Sequence, residues 1–285
     1  MDRLMFRIVV FYAASSLAAL LLDILTLYGL LPSILWGFIR MWSVALSATL
    51  CLAMFKDGVH AKMRKFLSFP ASLFKLYLVA PLTVYAALGI YIALANFFGL
   101  FDFSAYIDLI AEAAGSSVTG GQAEALAYVQ IAVAYLAAVT LNMVFALGEE
   151  IGWRGYLYDL LGSKPTATTA LIIGVLWGLW HSPATILLGY NYQVNRLIGM
   201  FLFTILAILF TYPQILITSR AEGSVLPASS LHGAINSIWG LTLVASRALS
   251  ETREILLGLG FMGIAAWTIL DAALYMLKLR SFRRK

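Results

Sequence analysis

Apolar runs of about 20 residues recur along the chain, separated by short polar stretches. A helix needs about 20 mostly apolar residues to cross the hydrocarbon core of a bilayer. The runs predict eight such helices, at about 8–28, 33–55, 73–98, 126–148, 167–188, 197–218, 225–246 and 255–277. The first is too long for the apolar part of a signal sequence. Asp23 also interrupts it with no cleavage pattern after it, so it is expected to stay as a span. Pro183 and Pro213 fall inside predicted spans and are expected to kink them. No internal repeat and no appended soluble domain can be read. The expected fold is all-α, a polytopic membrane helix bundle of about eight transmembrane helices, with residues 1–285 forming a single integral-membrane domain.

Composition agrees with that pattern. Hydrophobic residues make up 62% of the chain and charged residues 12%, against about 25% charged in ordinary soluble domains. So few charges cannot cover a water-facing surface, and so many apolar residues exclude disorder. The single cysteine, Cys51, excludes an internal disulfide framework and a CxxC cluster and reads as a core residue. The net charge of +5 does not call for nucleic acid, because the basic residues sit at the edges of apolar runs. An even number of spans puts both termini on one side. That side then holds 15 Lys and Arg and the other holds four, Arg40, Arg196, Arg247 and Arg253. The positive-inside rule makes the first side cytoplasmic. The longest loop on the other side, about 99–125, has Asp102, Asp108, Glu112 and Glu124 but no Lys or Arg. With Gly115, Gly120 and Gly121 it reads as partly helical and mobile.

Ionisable groups inside spans are the informative ones, since a charge at the helix centre costs roughly 2.5–3.5 kcal/mol on insertion scales. They cluster in three places within a core of about 145–240. The fourth span ends Gly148-Glu149-Glu150-Ile151-Gly152-Trp153-Arg154, the fifth contains Trp177-Gly178-Leu179-Trp180-His181, and the seventh contains His232-Gly233-Ala234-Ile235-Asn236. Glu150 and Arg154, Trp177 and His181, and His232 and Asn236 are each i,i+4 and so share a helix face. Glu149 and Glu150 are about 100° apart on a helix. One is expected to pair with Arg154 while the other points into a cavity. Two His and two Glu suit general acid–base hydrolysis or a His₂Glu metal site. Asp23 and Asp271 read as buried, partnered carboxylates, and His60 as solvated beside Lys62, Arg64 and Lys65.

The three elements in this order, EExxxR, aromatic-xxx-His and HxxxN, resemble the CPBP intramembrane protease family, which includes the type II CaaX prenyl endopeptidases and the Abi proteins. The family's second motif usually has Phe where this chain has Trp177, a change expected to alter packing more than chemistry. The resemblance implies an intramembrane endopeptidase acting on a membrane-associated peptide or protein, with prenylated CaaX tails as one substrate class. It implies Glu149 as the base that activates water and His181 as the group holding that water. His232 and Asn236 would face the carbonyl oxygen, and Glu150 and Arg154 would order the site.

Metal dependence stays open at this stage. His181, His232 and a Glu could hold zinc or another divalent metal, yet that leaves Glu150 as base, and pairing with Arg154 makes it a weak one. The metal-free assignment is therefore favoured. Counting residues from Gly223 to His232, and from Thr166 to His181, places the site toward the cytoplasmic half of the bilayer. The chain ends Ser281-Phe282-Arg283-Arg284-Lys285, so no CaaX box of its own is expected. Two other readings compete. A non-catalytic Abi-type scaffold or immunity and regulatory protein would be favoured by lost motif residues, and all are kept here. A transporter with a proton relay would be favoured by an inverted repeat, and none is seen.

Overall fold

The structure, a computed structural model, describes residues 2–115 and 118–283. The described residues are helical throughout, with no strand. Backbone groups in lipid have no water to bond, so an apolar run crossing the membrane must satisfy them within itself, as a helix does. Asp2 opens α1 (Arg3–Leu27) by accepting from the Leu4 amide. A short turn leads to α2 (Ser33–Met54), which α3 (Val59–Phe66) follows. The next run holds α4 (Phe74–Val79) and α5 (Leu82–Phe97), followed by α6 (Phe103–Ala114). A capping box between Thr119 and Gln122 starts α7 (Gly120–Val139), six residues before the expected boundary. The chain breaks at Thr140 (φ −125°, ψ −93°) and resumes as α8 (Leu141–Glu150). A buried π-helical turn, Ile151–Leu157, and α9 (Tyr158–Leu160) follow. The remainder is α10 (Ala167–Leu188), α11 (Arg196–Arg220), α12 (Leu226–Ile238), α13 (Leu241–Val244), α14 (Ser250–Leu256) and α15 (Phe261–Arg283).

Among the described residues seven helical stretches are long and apolar enough to cross a membrane. This is a multi-pass membrane protein. The seventh predicted run, 225–246, forms α12 and α13, which are too short to cross on their own. It carries Ser229, Ser230, His232, Asn236 and Ser237, and α12 is buried by protein from Pro227 to Ala234. A polar helix is tolerated at membrane depth when protein rather than lipid surrounds it. α10 and α11 run unbroken through Pro183 and Pro213.

Two end faces can be distinguished. One carries the start of α1, α3, α9 and the end of α15. It is tied by Lys62 and Lys65 to Asp159 at 2.5 and 2.9 Å, by the Val225 amide to the Phe66 carbonyl, and by Lys278 to the Pro165 carbonyl. Burial works to raise the Asp159 carboxyl, but the two lysine hydrogen bonds outweigh it and hold it below its usual range. The opposite face carries α6 and α14. Arg247 binds Asp102 at 2.7 Å and Asp108 at 2.6 Å, and Glu254 accepts from the amides of Gln193, Val194 and Asn195. Of the loop 99–125, Ser116 and Ser117 lie outside the described residues, as do Arg284 and Lys285.

Several sequence readings are corrected here. Arg40 and Arg154 are not loop charges; both are buried inside the bundle. Without them the basic residues divide fourteen to three, and the bias stands. Asp23 is partnered as expected, and its partner is Arg40, at 2.8 Å. The Oδ1 of Asp271 is buried with no hydrogen-bond partner, contrary to expectation. Cys51 is buried and His60 exposed, as read.

Candidate active site

The three polar motifs meet, and each brings a glycine that lets the backbones approach. A Cβ on Gly148 would lie 2.7 Å from the Trp42 Cα, so α8 can press against α2 and set Glu149 and Glu150 inside the bundle. Cβ atoms on Gly174 and Gly178 would lie 2.3 and 2.5 Å from the Cα atoms of Ile208 and Thr204. They let α10 close onto α11 and fix the turn that bears His181. A Cβ on Gly233 would lie 2.5 Å from the Ala138 carbonyl, at the break between α7 and α8. That approach brings the neighbouring His232 to Glu150. Small residues at helix crossings are how membrane bundles pack closely.

Glu150 is engaged through one oxygen, while its Oε2 is buried with no hydrogen-bond partner. Its Oε1 accepts from Arg154 Nη1 at 3.1 Å, Gln214 Nε2 at 3.3 Å and His232 Nδ1 at 2.8 Å. Arg154 also donates to Thr211 at 3.0 Å and to Gln214, and its guanidinium lies 4.1 Å over the Trp177 ring. Glu149 is held differently. Trp177 Nε1 donates to its Oε2 at 2.5 Å, while Oε1 makes no hydrogen bond and is not walled in. The expected division of labour therefore appears, with Glu150 on Arg154 and Glu149 toward a cavity. The Trp177 indole donates directly to Glu149, which a Phe could not do. The departure expected to alter packing therefore also brings a donor to Glu149.

The tautomers of both histidines follow from their partners. His181 Nδ1 lies 2.9 Å from the Trp177 carbonyl, which can only accept, so Nδ1 carries the proton. His232 Nδ1 faces the Glu150 carboxylate and donates in the same way. In its neutral form each ring then keeps a lone pair on Nε2. The Trp177 ring stands at 5.6 Å from the His181 ring and 5.3 Å from that of His232. Glu149, Trp177, His181, His232 and Asn236 line one cavity of about 230 Å³. Asn236 is exposed there and makes no hydrogen bond. These Nε2 lone pairs are of the kind that ligate metals. Among the described residues, however, no three His, Cys, Asp or Glu side chains are disposed to hold an ion.

The rest of the cavity wall was not read from the sequence. It includes Trp36, Gly37, Arg40, Tyr190, Asn191 and Leu259. Arg40 in the middle of an apolar run and Gln214 beside Pro213 were visible signals that went unused. These lining residues also place the cavity along the length of the bundle. His181 lies about 21 Å along α10 from Ala167 but only about 10 Å from Leu188. The lining continues into the start of α2 and the segments after α10 and α12, toward the face opposite the termini. The sequence reading put the opening on the termini's side. That count began at Gly223, yet Ser224 and Val225 are already buried, so it started inside the bundle.

Residues 129–238 match the family described as Type II CAAX prenyl endopeptidase Rce1-like. A curated relative, the CAAX prenyl protease 2 of Methanococcus maripaludis, is 30% identical over 152 residues, covering 51% of this chain and 54% of the relative. The chain thus spans about half the length of the curated relative it matches. No solved structure matches it. The resemblance read from the motifs is borne out over this segment, which contains all six of Glu149, Glu150, Arg154, His181, His232 and Asn236.

Proposed function

We propose that this membrane protein, whose residues 129–238 carry the type II CAAX prenyl endopeptidase signature, is an intramembrane endopeptidase. The chain acts as a single domain and hydrolyses a peptide bond of a membrane-associated substrate of the CaaX type. The observation that carries this reading is an available carboxylate, Glu149, sharing one cavity with two histidines and an open amide, beside a second carboxylate, Glu150, held by Arg154, Gln214 and His232.

Glu149 Oε1 takes a proton from water as the water oxygen attacks the scissile carbonyl carbon. The His181 Nε2 lone pair accepts the other water hydrogen and aims the oxygen. The Asn236 amide donates to the oxyanion, a contribution worth several kcal/mol in a preorganised site. When the C–N bond breaks, Glu149 returns its proton to the leaving nitrogen. As a neutral ring, His232 has no Nε2 proton to give an oxyanion. It becomes the donor that the resemblance implies only when protonated, with Glu150 as counter-ion. Glu150, Arg154 and Gln214 hold that ring and the end of α8 in place.

The test is Glu149→Gln, which keeps the shape and removes the base. Loss of a general base costs on the order of 10²–10⁴-fold. Membrane peptidomes of cells carrying wild type or Glu149→Gln should differ by products found only with wild type. Asn236→Ala should retain more activity, falling on the order of 10²–10³-fold. Equal proteolysis by wild type and Glu149→Gln would remove Glu149 as base. Absence of products from both would favour the non-catalytic scaffold.

A further inference from the structure

Arg40 sits where lipid exposure should have excluded it, seven residues into α2, and its side chain is 4% exposed. Its surroundings account for most of its donors. Nε donates to Asp23 Oδ1 at 2.8 Å, and Nη2 donates to Asp23 Oδ2 at 3.3 Å and to the Trp180 carbonyl at 2.9 Å. The guanidinium carbon lies 3.8 Å over the Trp180 ring. Asp23 is fully buried, and its Oδ1 also accepts from Trp36 Nε1 at 2.8 Å. The remaining nitrogen, Nη1, is different. It makes no hydrogen bond among the described residues, it is not among the atoms sealed from open space, and Arg40 lines the cavity that holds Glu149 and the histidines.

With its other nitrogens paired, the guanidinium has one group, Nη1, still able to donate into the cavity. Here Asp23, Trp36 and Trp180 clamp three sides of a guanidinium and leave one edge facing the site. Arginine's planar fork suits that duty: it stays charged and presents donors in a fixed direction that matches a carboxylate. The edge is a rigid anion-binding group beside a proposed peptidase centre, with the open Asn236 amide in the same wall.

We infer that Arg40, held by Asp23, forms a subsite for the free C-terminal carboxylate of the substrate. This inference rests on the endopeptidase reading. A CaaX box ends its chain, so the carboxylate lies three residues past the cysteine, within about 10 Å when extended. A cleavage centre and a carboxylate-binding group in one cavity would then measure cleavage from the C-terminus. The scissile bond is chosen by the distance between Arg40 and Glu149 rather than by side chains alone.

The test compares one fluorescent, prenylated peptide ending in a CaaX box in two forms, with a free C-terminal carboxylate and as the C-terminal carboxamide. Both are presented to purified wild-type protein in nanodiscs, and cleavage and binding are measured separately. Hydrogen bonds to a charged group support a preference on the order of 10–100-fold for the acid, expressed in KM and Kd. In the paired variant Asp23→Asn with Arg40→Gln, which leaves no orphaned charge, the ratio of acid to amide should fall to about one. Should that variant fail to fold, the wild-type comparison decides alone. Cleavage of both peptides with equal KM overturns the subsite and leaves the endopeptidase reading standing. Preferential binding of the acid without cleavage of either keeps the subsite and overturns that reading. An equal loss of kcat on both peptides in the paired variant, with the ratio unchanged, would make Arg40 a positioning residue instead.

Discussion

Adjacent side chains on a helix diverge by about 100°, and that rotation separates Glu149 from Glu150. The sequence allowed the pairing of Glu150 with Arg154 to be read, because i,i+4 groups share a face. The hydrogen bond from Trp177 to Glu149 was out of reach, because it joins α10 to α8 and depends on how closely they pack. The tautomer of His232 was hidden for the same reason, as its acceptor, Glu150, lies on another helix, whereas that of His181 is set by the Trp177 carbonyl one turn back in α10. Trp177 yields a prediction of its own. Trp177→Phe, toward the residue usual in the family, removes a donor to the base while keeping an aromatic ring between the histidines. With its Oε2 released, Glu149 is less firmly aimed. Cleavage kinetics should show kcat lower by about tenfold or more, from loss of a hydrogen bond to a charged group, with KM little changed. A Trp177→Phe enzyme of undiminished kcat would mean that the indole serves packing alone.

At the scale of elements, the site depends on close crossings of α2 with α8, α10 with α11, and α12 with the break at Thr140. Gly148, Gly178 and Gly233 all stood in the motif sequences, so small residues beside the polar ones were legible. Their purpose was not, because a glycine within an apolar run reads equally as packing or as weakness. The run at 225–246 shows a related limit. Hydropathy gives its apolar content but not what surrounds it, and a helix enclosed by protein can be shorter and more polar than one facing lipid. The crossing of α10 and α11 can be tested directly. In Gly178→Ala the new methyl would meet the Thr204 Cα at 2.5 Å, and backbone cannot swing aside as a flexible side chain can. Overpacking of this kind costs about 1–3 kcal/mol. The variant should melt earlier in nanodiscs and cleave more slowly, since His181 lies less than one turn away. Gly89→Ala is the control: it is interior to α5 with nothing within 4 Å of the added carbon, and alanine is favoured there by up to about 1 kcal/mol. Equal melting temperatures for the two variants would show that the crossing tolerates the methyl group.

For the whole molecule, the sequence made legible an all-helical membrane bundle and the charge asymmetry between its ends. The way the cavity faces was not legible, because depth along a helix can be counted only once its starting point is known. The basic residues divide fourteen to three in favour of the face that bears the termini. The positive-inside rule assigns that face to the cytoplasm. The cavity lies toward the opposite face, where its wall includes Asn191 beyond the end of α10. Together these predict that the cavity opens away from the cytoplasm. The only native cysteine, Cys51, is buried, and Cys51→Ala gives a background for single-cysteine labelling. His60→Cys reports the face of the termini and Glu112→Cys the opposite face, both at exposed positions. Asn191→Cys reports the cavity mouth. A membrane-impermeant maleimide applied to intact cells should label Glu112→Cys and Asn191→Cys, and should reach His60→Cys only after permeabilisation. The three positions test two separate claims. Labelling of His60→Cys alone in intact cells would invert the bundle while keeping the cavity opposite the termini. Asn191→Cys behaving like His60→Cys would instead overturn the placement of the cavity, whichever way the bundle is inserted.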